Sequence, residues 1–248
     1  MTRGNTIIVK IGSDSLENFT HSKKITNLVD GIAGKMADWA RIILVSSGAV
    51  SFGRSRMPEI ENKQVLAALG WHHLLVEYSR KFHAHGTPIA GYLVTHADIE
   101  DNPNRSKTFV ETIETTWDTW VLPIVNENDP ISTEEMREVG RWADNDKNAL
   151  LLAGLFQANI LYLITNTNGV YRDSTDPESR IKSMKSRELV RDYIEELCNG
   201  KSLSGIGGMQ SKLEVAHQAW KLGITTHIWN GIDSWIHDIL SGWTTIIP

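Results

Sequence analysis

Residues 7–15, Ile-Ile-Val-Lys-Ile-Gly-Ser-Asp-Ser (IIVKIGSDS), decide how the rest of the chain is read. Residues 7–11 are a short apolar run closed by Gly12, the pattern of a strand buried on both faces. One lysine interrupts it. A lysine in a buried parallel strand is costly unless its ammonium group reaches an anion. At the carboxyl end of the strand, beside Gly12 and Ser13, Lys10 can reach a phosphate. The alternative is a snorkelling lysine paired to a carboxylate.

Working outward, further apolar runs read as strands over 41–45, 88–94, 121–125, 159–164 and 225–229. Between them, helical spacing is read over 23–40, 62–84, near 105–117, and over 145–157, 187–198 and 209–222. Residues 171–186 are polar and loop-like, with Asp176-Pro177 as a turn. TTIIP closes the chain. Strands alternating with helices predict an α/β fold made of βαβ units with a mostly parallel sheet. Ligands collect beyond the carboxyl ends of such strands. Four of those ends, KIGSDS, SSGAV, NENDP and TNTNG, are small, polar or acidic, which points to a site on one edge.

Composition limits the function classes. At 248 residues, 41% hydrophobic and 22% charged, the chain has enough apolar residues for a sizeable core. A net charge of −5 argues against a general nucleic-acid binder. No apolar run approaches the roughly 20 residues that span a bilayer, so no membrane role is expected. The start, MTRGNTIIVK, is too short for a signal h-region, and cytoplasmic location is expected. The one cysteine, Cys198, forbids an internal disulfide and reads as a structural thiol. Of nine tryptophans, Trp39, Trp117, Trp120, Trp220 and Trp235 read as packing residues. His72-His73 and His83/His85 have no matching second pair for zinc, and no metal ligand is assigned.

SGIGGMQSK (204–212) is a glycine-rich loop entering a helix. Glycines let backbone N–H groups approach phosphate oxygens, and the helix N-terminus adds positive potential. Lys212, one turn in, can point back at the same anion. The P-loop pattern is absent, and no strand precedes the loop as a dinucleotide fingerprint requires. Ser46-Ser47-Gly48 suggests a serine nucleophile, but G-x-S-x-G is absent. RWADNDKNAL (141–150) sets two acids and two amides before an apolar helical pattern: a solvated N-cap, or carboxylates that hold something.

Taken in order, VKIGSDSL, SSGAVSFGR, KQVLAALG, LVTHADIED, VLPIVNEND, ADNDKNAL, LITNTNGVY and GIGGMQSKLEVA resemble the glutamate 5-kinases of the amino acid kinase family. The NEND and DND pair is the specific part of the match. The resemblance implies a three-layer αβα sandwich forming a single domain over 1–248. Amino-acid substrate would sit over about 1–150 and nucleotide over about 151–248, without the accessory RNA-modification-like (PUA) domain. It makes Lys10 and Lys212 the lysines that offset charge on the transferring phosphoryl group, and Asp146 the acid that organises them. It assigns Ser47, Gly48, Ala49, Asp129 and Asn145 to glutamate. To the nucleotide it assigns Lys10, Gly12, Ser13, Thr165, Asn166, Gly205, Ile206, Gly207, Gly208, Met209 and Lys212. ATP and Mg²⁺ are the implied cofactors. The γ-carboxylate of glutamate would be phosphorylated, opening proline synthesis, with a glutamyl phosphate reductase downstream and a homo-oligomer as the assembly.

Some positions depart from the resemblance. Thr165-Asn166 stands for Thr-Asp, Ile206 for a loop threonine, Trp71 for a glutamine, Ala143 for a glycine, and His96 for an arginine. Lys107 falls near a usual asparagine-alanine pair. Trp71 and Lys107 motivate a second expectation, a kinase for another amino acid or small carboxylate. A non-catalytic module sensing ATP or an amino acid is the third.

Overall fold

Alternation along the strands builds the molecule. The structure, a computed structural model, describes residues 5–16, 19–131, 145–173, 175–185, 193–194, 197, 208–231 and 243–247. Within them β1 (Thr6–Ile11), β2 (Arg41–Ser46), β3 (Ile89–Val94), β4 (Leu122–Glu127), β5 (Ile160–Ile164) and β9 (Thr225–Trp229) carry the apolar runs. They form one sheet of order β3-β4-β2-β1-β5-β9, parallel throughout. β10 (Trp243–Ile247) joins antiparallel to β9, and β8 (Ser183–Lys185) pairs parallel with β10.

Odd residues of β1 (Ile7, Val9, Ile11), with Ile42, Leu44, Ile124 and Tyr162, pack with Ile25, Leu28 and Ile32 of α1 (Lys23–Ala37) and Leu74, Tyr78 and Phe82 of α3 (Lys63–His83). Ile8, Ile43, Val45, Val125, Leu161 and Leu163 pack on the other side. Their partners are Ile113 of α4 (Pro103–Asp118), Leu152 of α5 (Asn145–Leu155) and Leu213 of α6 (Met209–Lys221). The period of two therefore produces the three-layer αβα sandwich with a mostly parallel sheet. It also puts Lys10, two residues on from Ile8, toward α5 and α6.

Helix starts follow local chemistry. Ser22, Asn62 and Asn102 each accept a backbone N–H three residues on, at 3.4, 2.9 and 3.1 Å, and Pro103 opens α4. Sequence periodicity misses α2 (Ala49–Arg56). It lies tight against α3: a Cβ on Gly53 would sit 2.0 Å from the Leu66 carbonyl oxygen, and one on Gly70 would sit 1.8 Å from that of Ala49. The polar segment 171–186 also contains more than loop. β6 (Val170–Tyr171) and β7 (Arg180–Ile181) pair antiparallel, and buried Thr244 ties them to β10, accepting from the Val170 N–H and donating to the Ile181 carbonyl. Its turns hide β8, which only β10 completes.

Two of the tryptophans read as packing residues are corrected. Trp39 and Trp120 are 67% and 46% exposed and stack edge-to-face on each other, centroids 4.6 Å apart. Each takes a positive φ where the chain leaves a helix for a strand, so neither points into the core. Trp117 does pack, and its indole N–H donates to the Ile42 carbonyl at 2.8 Å. Trp235 and Cys198 lie outside the described residues, as does most of the helix expected over 187–198.

Candidate active site

The sheet reverses direction of growth at β1: β2, β4 and β3 lie to one side, β5 and β9 to the other. That is a topological switch point, where the loops after adjacent strands diverge and leave a crevice. Every described residue of the expected site falls along this carboxyl edge.

At its centre are three buried charges. Lys10 at the end of β1 meets Asp146 in the first turn of α5, Nζ to Oδ1, at 2.5 Å; Lys212 in the first turn of α6 meets the other oxygen, Nζ to Oδ2, at 2.9 Å. Asp146 is fully buried and the lysines are 5% and 6% exposed. Burial alone pushes the Asp146 carboxyl up, but the two ammonium groups and their hydrogen bonds hold it below its ordinary value. Of the two ways of reading Lys10 from sequence, the pairing with a carboxylate is present, and the lysine stands at the strand end. Among the described residues two cations thus share the Asp146 carboxylate, at the carboxyl end of β1.

On the β2 side, Asn145 Nδ2 donates to Ser47 Oγ at 2.6 Å, and Asn148 Nδ2 lies 3.5 Å from Asn145 Oδ1. Adjacent residues on one helix thereby split the site: Asp146 turns to the lysines, Asn145 to Ser47. The Ser47 N–H donates to the Ile11 carbonyl at 3.1 Å. Gly48 follows at φ +95, where its missing side chain leaves room for Leu16, and Ala49 opens α2. The first N–H groups of α2 lack intrahelical partners and are available to an anion. Asp129 stands in the turn just beyond β4.

On the β5 side, Gly12 and Ser13 begin the turn after β1, and the Thr165 N–H donates to the Trp229 carbonyl at 2.7 Å. Gly208 caps α6, whose first residue is Met209, and its carbonyl accepts from the Lys212 N–H at 3.4 Å. Gly205, Ile206 and Gly207 lie outside the described residues, as do Ala143 and Asp144 of RWADNDKNAL.

The departures separate in space. Trp71 is buried on α3 within the core, beside Gly91 of β3. Lys107 is exposed and faces Glu111 one turn along α4. His96 pairs with Glu100. Asn166 stays at the edge, where it meets a residue that sequence reading passed over: Lys24 Nζ donates to Asn166 Oδ1 at 2.8 Å and to the Thr165 carbonyl at 3.2 Å. The available signal was its place in the first turn of α1, where a cation opposes the helix dipole.

Residues 5–230 match the amino acid kinase family. Glutamate 5-kinases are among the similar proteins. That of Gloeobacter violaceus is 36% identical over 237 residues, covering 91% of this chain and 62% of that protein. That of Haemophilus influenzae strain PittGG is 34% identical over 233 residues, covering 90% and 62%. The chain therefore spans about three-fifths of the length of these relatives. Among solved structures, carbamate kinase from Giardia lamblia bound to AMP-PNP superposes with a TM-score of 0.67 at 14% identity, covering 100% of this chain and 99% of that one. N-acetylglutamate synthase from Neisseria gonorrhoeae gives 0.68 at 14% identity, covering 99% and 60%. At such identities these two speak for the fold alone. No described helix is long and apolar enough to cross a membrane. With the family match running from β1 through the end of β9, the chain belongs to the amino acid kinase family.

Proposed function

We propose that the protein transfers the γ-phosphoryl group of ATP to the γ-carboxylate of L-glutamate, giving L-glutamyl 5-phosphate. One observation carries the reading: a buried Lys10–Asp146–Lys212 cluster lies one residue from the Asn145–Ser47 hydrogen bond, joining a phosphate-directed half to a small polar half. Glutamate lies over the β2 and β4 ends, against Ser47, Gly48, Ala49, Asp129 and Asn145. The nucleotide lies over the β1, β5 and β9 ends, against Gly12, Ser13, Thr165, Asn166 and the loop from Gly205 through Met209.

The glutamate carboxylate is ionised at neutral pH, so its attack needs no general base. A carboxylate oxygen forms the new bond to the γ-phosphorus as the bond to the β,γ-bridging oxygen breaks, and ADP leaves with that electron pair. Lys10 and Lys212 stabilise charge spreading over the transferring group, and Asp146 holds both in place. Both Asp146 oxygens face ammonium groups, so this reading gives Asp146 the part of holding the two lysines. Mg²⁺ fits as an ion carried on the ATP phosphates, where it supplies further charge neutralisation. The product is a labile acyl phosphate, which a reductase would consume on the way to proline. A cytoplasmic homo-oligomer accompanies this reading.

The test is hydroxylamine trapping of acyl phosphate with Mg-ATP, offering glutamate beside aspartate, N-acetylglutamate and 2-aminoadipate. Signal confined to glutamate is expected. Signal confined to another acid, or none from folded protein, would refute the assignment.

A further inference from the structure

Lys24 sits where its charge is unfavourable. It is the second residue of α1 after the cap Ser22, and a cation there opposes the helix dipole. The stem is nevertheless directed: it runs over Gly231, where a Cβ would come within 2.9 Å of Lys24 Cγ. Its ammonium group ends among three neutral acceptors, Asn166 Oδ1 at 2.8 Å, the Thr165 carbonyl at 3.2 Å and Ser15 Oγ at 3.4 Å. Among the described residues no carboxylate forms an ion pair with it. Burial lowers its pKa, with Asp14 acting in the opposite direction. The positive charge is therefore held at the mouth of the β1 and β5 ends with, among the described residues, only neutral acceptors in hydrogen-bond reach.

This arrangement fixes the Asn166 amide. Lysine only donates, so the Asn166 oxygen must face it, and the Ser15 hydroxyl meets the same oxygen at 3.2 Å. The Nδ2 hydrogens then point away from Lys24 on an exposed residue. An aspartate at 166 would present only acceptors and would neutralise Lys24. The asparagine presents a donor and leaves the charge standing.

We propose that Lys24 and Asn166 form an anion-directed donor pair on the nucleotide side: Asn166 Nδ2 donates to a phosphate oxygen, and Lys24 supplies the positive charge behind it. This rests on the nucleotide reading above. Lys24 is then a positioning residue for Asn166 and an electrostatic one for the ligand.

The experiment is equilibrium titration of the whole chain with Mg-ATP at low and high salt, with thermal unfolding without nucleotide, for the parent and Asn166→Asp, Lys24→Met and Lys24→Arg. Asn166→Asp creates an ion pair with Lys24, so it should unfold at or above the parent temperature yet bind ATP roughly tenfold more weakly, the scale of one lost charge-assisted hydrogen bond. Lys24→Met should weaken ATP similarly, Lys24→Arg should keep most of the affinity, and the differences should shrink at high salt. If Asn166→Asp binds ATP like the parent while Lys24→Met does not, Lys24 merely ties two turns together and the proposal is overturned. Parent-like binding by every variant also overturns it. A parent that binds no ATP removes the nucleotide reading itself, a failure visible before any variant is compared.

Discussion

Replacing Asp146 with asparagine removes the anion that, among the described residues, bridges two buried ammonium groups. Lys10 and Lys212 lie 2.5 and 2.9 Å from its two oxygens and are 5% and 6% exposed, so water cannot take over the carboxylate's role. Cations bracketing one carboxylate stand on the order of 5 Å apart, and at an effective dielectric of ~20 their repulsion is about 3 kcal/mol. Removing one partner of a buried ion pair typically costs about 3–5 kcal/mol. Asp146→Asn should therefore unfold about 3–5 kcal/mol more easily, which for a chain of this size is a fall of roughly 6–20 °C in Tm. Two features mark the electrostatic cause. The variant should regain stability as pH rises toward the lysine range, since the folded state then binds fewer protons than the unfolded. Mg-ATP should stabilise it more than it stabilises the parent, because polyphosphate supplies the missing charge. The assay is thermal unfolding across pH, with and without Mg-ATP, beside the trapped-product assay, in which the variant should be nearly inactive. Unfolding within about 1 kcal/mol of the parent, unaltered by pH or nucleotide, would refute the description of these lysines as mutually repelling charges held by one carboxylate.

Lys10→Met and Lys212→Met should each lower kcat by roughly 10²–10³, the usual loss of one preorganised charge-stabilising group, and unchanged turnover in both would contradict the assigned site. Gly70→Ala should destabilise by about 1–3 kcal/mol and raise KM for glutamate, since its Cβ would meet the Ala49 carbonyl at 1.8 Å and push the start of α2 away from Ser47. Urea unfolding and steady-state kinetics check the two halves of that statement. His227 of β9 is buried beside Thr245 of β10, stacked on Tyr162 of β5, and burial lowers its pKa to about 4. The unfolded chain takes up this proton near 6.5 and the folded chain near 4, so stability falls as pH drops through that window and levels below it. The size is about 3 kcal/mol for a shift this large. His227→Gln should flatten the pH dependence, and an equally steep fall would exclude the histidine as its source.

Much of the fold was legible because the sheet is buried on both sides. Continuous apolar runs such as IIVKI and RIILV admit few other readings, and polar strand ends in NEND and TNTN marked the sheet edge where the Lys10–Asp146–Lys212 cluster lies. Lys10 was legible for the same reason: a charge inside such a run needs an anion. Less was legible where the deciding partner lies far along the chain. α2 carries a glycine and little amphipathic pattern in eight residues, and becomes a helix against Leu66, Ala67 and Gly70 of α3. β8 has three residues and needs β10, some sixty residues later, to complete its ladder. Trp39 and Trp120 look like core by composition, but positive φ at both helix exits turns them to the surface.

The sequence by itself determined the βαβ order, the two lysines, the acids between them and the edge on which they gather, because periodicity and local capping are properties of neighbouring residues. Only the tertiary structure decided which oxygen of Asp146 each lysine takes, that Asn145 turns to Ser47 while Asp146 turns the other way, and that Lys24 reaches Asn166. Those pairings join residues 66 to 142 positions apart. They exist only when the sheet has brought the ends of β1, β2 and β5 side by side and excluded the water that would otherwise solvate each charge separately.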